Sequence, residues 1–220
     1  NRKLQFTHGF GVVAAPVTEF TDDGKPNFVL QDVPPVGDIP ITRPEVYYGE
    51  NTRDYVVVNS SVKEFSYPTE TETPVYAQYK GNGGVLISGF LRKLAYAWKF
   101  KDINLLISGE ISEGSRIQYN RNIQDRVHEI APFLVLDDDP YVVVVNGELQ
   151  WIQDAYTVTD LYPYSTPFVG DLGEFNYIRN SVKIVMDAYH GELTFYMIDE
   201  SDPLAQTYGK MFPSLFIPFD

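Results

Sequence analysis

Asp137, Asp138 and Asp139 stand side by side immediately before Pro140. Hard cations such as calcium take roughly 6 to 8 oxygen ligands, often from a flexible turn, so these three carboxylates are the candidate metal ligands. The competing reading is an acidic turn between two elements, because successive side chains diverge and a full shell needs distant donors. A second concentration of chemistry follows in Asp154, Tyr156, Asp160, Tyr162 and Tyr164, with Ser165 beside them. Tyrosine pairs a flat apolar face with a polar tip, and a neighbouring carboxylate accepts hydroxyl hydrogen bonds. This composition suits a glycan or another polar ligand. It equally suits a strand edge packing its own exit loop.

Other routes to catalysis are poorly represented. His8, His128 and His190 lack the spacing of a helical metal-binding pair, and at least two of them are expected in solvent. The sequence holds no Gly-x-Ser-x-Gly elbow for a serine nucleophile. Gly81-Asn82-Gly83-Gly84 is rich enough in glycine for a phosphate loop but lacks the Lys-Ser/Thr ending, and reads as a flexible entry to a helix. No residue is assigned a catalytic role. One charge feature opposes the overall balance: Arg92, Lys93, Lys99 and Lys101 cluster around Trp98. Such a patch suits contact with an anionic membrane surface or an acidic neighbour, against the plainer reading of a solvated face paired with nearby carboxylates.

The elements that must position these residues follow from periodicity. In the first third, Phe10 to Val17, Phe28 to Val33, Glu45 to Tyr48 and Tyr55 to Val58 read as β, Pro34 to Pro44 as a surface connection and Ser66 to Pro74 as a mobile loop. The middle reads as helical. Ser88 is the expected N-cap of a helix whose Leu91, Leu94, Ala95 and Trp98 fall at the spacing of a buried stripe. Asp102 caps a second helix carrying Ile103, Leu106 and Ile107, and Glu113 to Ala131 forms a third, with Asn120 as a flaw in its apolar side. In the last third, Asn146-Gly147 and His190-Gly191 lie between β-branched and aromatic runs, as in tight hairpins. Tyr141 to Val145 reads as a central strand. Asp202-Pro203 has the chemistry of a helix start. The expected fold is α+β, with antiparallel sheets built partly from two similar hairpins in the C-terminal half and three to four helices packed on them. It is read as one domain over 1–220: 1–80 mainly β, 81–136 helical, 137–220 two hairpins and a short helix.

Composition narrows the function classes. The formal charge of −13 repels nucleic acid, and the absence of cysteine removes disulfides and thiolate chemistry. No apolar run reaches the ~18 to 20 residues of a spanning helix. The chain opens on Asn1 without a methionine or a signal-like segment, which points to a piece of a longer chain.

Thr7-His8-Gly9-Phe10-Gly11-Val12-Val13, the run Ala95 to Leu106, Ala131-Pro132-Phe133-Leu134, Asp139-Pro140-Tyr141, the run Trp151 to Ser165 and the run Asn176 to Lys183 resemble, in order, the uncharacterised protein family 0182 of bacterial membrane proteins. Ser66 to Pro74 and Gly170 to Glu174 are peripheral to the pattern. The resemblance implies several transmembrane helices followed by a large extracytoplasmic region, of which this chain is a part. It supplies no catalytic residues. The expectation is therefore a non-enzymatic extracytoplasmic domain of a multi-pass cell-membrane protein, with a role in binding, assembly or support, and its own transmembrane region as partner. The alternatives are an extracytoplasmic hydrolase or carbohydrate-active enzyme using Asp154 to Ser165, and a calcium-stabilised structural module.

Overall fold

The computed structural model describes residues 2–69, 71, 73–170 and 173–219. Its chain divides into two compact units. The first comprises 1–121 together with 144–149 and 188–191; the second comprises 122–143, 150–187 and 192–220. The architecture is α+β with mostly antiparallel sheets, as the sequence predicts.

The first unit opens with α1 (Arg2–Gln5), β1 (Gly9–Phe10), β2 (Leu30–Gln31), β3 (Val36–Gly37) and β4 (Glu45–Val46). Then come β5 (Val56–Val58), β6 (Glu64–Pro68), β7 (Pro74–Ala77), β8 (Val85–Leu86), α2 (Phe90–Phe100), α3 (Asn104–Ile107) and β9 (Arg116–Gln118). The strands pair antiparallel as β1-β4, β2-β3, β6-β7 and a three-stranded sheet β5-β9-β8. In the expected mobile stretch, Ser66 to Pro68 and Pro74 lie in the β6-β7 hairpin, while Glu70 and Glu72 lie outside the described residues. Tyr55, Val57, Ile87, Ala97, Leu105, Ile111 and Ile117 build the core beside this three-stranded sheet. Each fully buried aliphatic side chain contributes about 1.5 to 3 kcal/mol of burial free energy.

Two expected helices change form here. The helix α2 starts after Gly89 (φ 81) without a side-chain cap, so Ser88 does not serve as its N-cap. It ends at Lys101, whose left-handed backbone turns its N–H back onto the carbonyls of Ala97 and Trp98. The third expected helix, over Glu113 to Ala131, is broken. Its first part is β9, Asn120 takes a left-handed φ of 47°, and a helix begins only after Asn122. The flaw at Asn120 is where the chain changes direction, since asparagine tolerates this conformation better than a β-branched residue does.

The second unit contains α4 (Ile123–Ile130), β10 (Val135–Leu136), β11 (Tyr141–Val145) and β12 (Glu148–Thr159) except for their residues within 144–149, β13 (Phe168–Gly170), β14 (Gly173–Phe175), β15 (Tyr177–Asp187), β16 (Leu193–Met197), α5 (Pro203–Met211) and β17 (Phe216–Pro218). Its sheet runs β10-β12-β15-β16-β17, and β11 also pairs with β12. Tyr141 to Val145 is therefore not a central strand; β12 is its one strand partner among the described residues. Asn146 and Gly147, both at positive φ, close the β11-β12 hairpin as expected. His190-Gly191 behaves differently. The register closes at Met186 with Leu193, so the connection is longer than a two-residue turn. Val182, Ile184 and Met186 are fully buried along β15, facing Phe195 on β16. Asp202 caps α5 with Pro203 in its first turn, and Phe133 packs against Tyr208 and Phe212 of this helix and its cap. In the peripheral stretch Gly170 to Glu174, Asp171 and Leu172 lie outside the described residues.

Candidate functional site

The carboxylates and tyrosines predicted to bind ligands lie in the second unit. Asp137 accepts a hydrogen bond from the Tyr156 hydroxyl at 2.8 Å and one from the Asp139 N–H at 3.1 Å, and these hold its carboxyl below the usual range. Asp138 and Asp139 are exposed. Among the described residues, no group of three or more His, Asp or Glu is placed to hold a metal ion.

Asp154 stands opposite Lys183 in the β12-β15 register, and their side chains form an ion pair at 2.9 Å. Asn180 donates to the same carboxylate oxygen, and Lys183 also reaches the Tyr141 hydroxyl. The charge of Asp154 is thus compensated within the sheet. Tyr162 sits elsewhere, stacked on Tyr177 with ring centroids 4.6 Å apart, while Asn176 binds both its N–H and its carbonyl. Asp160 and Tyr164 are exposed on that loop, and Ser165 donates to the Asn176 carbonyl. The five predicted ligand residues therefore fall into two sets, one on the sheet face and one on its exit loop.

A buried polar cluster in the first unit was not read from the sequence. Glu64, 1% exposed, accepts from Thr7 Oγ1 at 2.5 Å and the Tyr47 hydroxyl at 2.9 Å through Oε2. Its other oxygen accepts the N–H groups of Asn59 and Tyr79, each at 3.1 Å. Arg121 is 5% exposed and donates to the carbonyls of Tyr47, Asp54 and Thr7; burial pushes its guanidinium down to about 10. His8, one of three histidines of which at least two are expected in solvent, has a fully buried side chain. Burial pushes its pKa down to about 4, only partly opposed by nearby Glu64 and reinforced by Arg121, so the ring is neutral at pH 7. His128 is exposed as expected, and His190 is half-buried.

Every strong group in this cluster is spent on holding backbone and tyrosine in place. A carboxylate with four protein donors has no lone pair left in open view for substrate. The glycine loop is likewise structural: Arg116 binds the carbonyls of Asn82, Gly83 and Gly84, whereas a phosphate cradle presents N–H groups.

The remaining candidate is the outer surface of α2 and α3. The stripe Leu91, Leu94, Ala95 and Trp98, expected to be buried, is exposed, with Trp98 85% and Leu91 78% accessible. The opposite face packs instead: Ala97 is buried, while Tyr96 and Phe100 lie against the core. Phe90 extends the open stripe at one end, and Ile103, just before α3, and Ile107 within it add exposed apolar surface. Leu94, Ala97, Trp98, Lys101, Ile103 and Leu106 line a groove of about 430 Å3. Of the four cations predicted here, Lys93 is drawn inward to the Ile111 carbonyl at 2.8 Å. Arg92, Lys99 and Lys101 remain exposed at the rim. Lys99 lies over the Tyr119 ring, and Arg92 reaches the Leu86 carbonyl. None of the four forms an ion pair with a carboxylate among the described residues.

The chain is similar to a set of relatives from distant microbes. A protein of Pelotomaculum thermopropionicum is 50% identical over the whole chain, one of Sulfurovum sp. strain NBC37-1 is 50% identical over the whole chain, and one of Methanospirillum hungatei is 46% identical over the whole chain. Each bears the name UPF0182 protein. The chain spans 24%, 24% and 25% of their respective lengths. No solved structure matches it. The profile described as Uncharacterised protein family (UPF0182) matches residues 1–220, and the chain belongs to that family.

Proposed function

We propose that the chain is an extracytoplasmic lobe of a multi-pass cell-membrane protein, working by binding or assembly beside that membrane rather than by catalysis. The observation that carries this reading is the open apolar stripe of α2. Its residues have the spacing of a packed face, yet the packed face of the helix is the other one. A helix patterned in this way is expected to meet something further. Support also comes from the relatives, in which about three quarters of the length lies beyond the matched region. The paired state of Glu64, Asp137 and Asp154 argues in the same direction, because a general acid or base needs a carboxyl that substrate can reach. Among the described residues no helix is long and apolar enough to cross a membrane, so this reading places the crossing segments outside the matched region.

Topology tests the reading. The chain contains no cysteine, so Asp22→Cys at an exposed position adds a single reporter thiol to this part of a full-length protein cleared of other cysteines. A membrane-impermeant maleimide should label it in intact cells. Labelling that appears only after lysis overturns the extracytoplasmic placement.

A further inference from the structure

We propose that the α2-α3 face docks on the anionic surface of a phospholipid bilayer. The proposal rests on the multi-pass reading only in supplying a membrane nearby. The helix α2 is about 16 Å long at 1.5 Å per residue and is amphipathic with its apolar stripe outward. Phe90, Leu91, Leu94 and Trp98 form that stripe; Arg92, Ala95 and Lys99 run along its flank, all exposed. Lys101 closes the groove next to Trp98 and Ile103. Large apolar side chains bordered by long cations match the layering of a bilayer interface. The rings and branched chains enter the acyl boundary, and the cationic heads stay at phosphate level.

Charge decides among occupants. Arg92, Lys99 and Lys101 have no carboxylate partner among the described residues, although acidic residues outnumber basic ones by 30 to 17 in the chain. Left uncompensated in an acidic protein, these cations fit an anionic plane. The remaining negative charge acts at longer range and is screened beyond about 8 Å at physiological salt, so the local patch governs close approach. A second copy fits poorly, because two such faces meeting would set cation against cation. The exposed indole of Trp98 adds a side chain that favours the boundary between headgroup and acyl chain.

Sedimentation of the 220-residue chain with phosphatidylcholine vesicles, alone or containing phosphatidylglycerol, tests this directly. The chain should pellet several-fold more with the anionic vesicles, and added salt should reduce the difference. The double variant Leu91→Ser, Trp98→Ser should lose most of the pelleting. The triple variant Arg92→Gln, Lys99→Gln, Lys101→Gln should fall to the level seen with neutral vesicles, giving an independent reading if one variant folds poorly. Equal recovery with both vesicle types, or undiminished pelleting of both variants, overturns the proposal. So does a chain that stays in solution while forming a dimer that Trp98→Ser dissolves, which assigns the face to a second copy. Vesicle binding does not depend on which side of the cell membrane the chain occupies. Failure of the topology experiment and failure of this one are therefore distinguishable.

Discussion

Within the first unit, two regions arrange their chemistry in opposite ways. Around Glu64 the groups are polar, buried and saturated with partners. Across α2 and α3 they are apolar, open and bordered by cations without carboxylate partners among the described residues. A carboxylate survives burial only when donors replace its lost water, so each bond to Glu64 is a condition of folding. An apolar side chain in water carries no such condition. It costs the monomer little and becomes valuable only when something covers it. The first region thus reads as scaffold and the second as interface, although the more reactive residue types sit in the first.

Mutation should separate the two regions by stability. Glu64→Ala removes the acceptor of four donors, two of them backbone N–H groups in a buried site, and is expected to cost about 3 to 5 kcal/mol. The midpoint of urea unfolding measures it. A loss below about 1 kcal/mol would break the contrast by showing that the cluster can be rehydrated cheaply.

Acid should probe the same cluster through His8. Its folded pKa of about 4 lies below the ordinary imidazole value of 6.5, so as pH falls the unfolded chain takes up a proton before the folded one does. This contribution to stability is complete above pH 6.5 and is lost between 6.5 and 4, amounting to about 3 kcal/mol. His8→Gln removes that part of the slope. Urea unfolding of both proteins across the range checks it, and identical slopes would show that the ring is not held neutral.

The smallest effect belongs to the open face. Trp98→Ser is expected to change stability by about 0.5 kcal/mol or less, because the side chain packs against little. A thermal melt of the isolated chain is sufficient. A large loss would mean that the stripe is covered in solution, and would move the face from interface to core.

Much of the fold was legible where local chemistry is self-sufficient. Asn146-Gly147 closes its hairpin because both residues tolerate positive φ, and Asp202-Pro203 starts α5 because the carboxylate receives the Leu204 N–H. The period-2 run Val182, Ile184 and Met186 identified a buried strand face. The second hairpin pairs as its sequence predicts but closes through a longer loop, where Gly191 has a further duty. A Cβ there would meet the Tyr48 ring at 2.5 Å, so this glycine permits close packing in a longer loop. In the set Asp154 to Tyr164, composition cannot tell an available carboxylate from one paired with Lys183, so the pairing of Asp154 is legible only in the fold. Glu64 left only a faint sign, an acidic residue starting a β run of alternating burial.

The amino-acid sequence alone determined the α+β class, the family, the acidic balance and the existence of an amphipathic helix around Trp98, since each depends on residue type and near spacing. Tertiary structure decided which side of that helix is covered and which carboxylates are already paired. Periodicity reports that a helix has two unlike faces; only the packing of Tyr96, Ala97 and Phe100 on the core turns the Trp98 stripe outward. Hydrophobic patterning records the need for a neighbour, and the fold determines whether the same chain provides it.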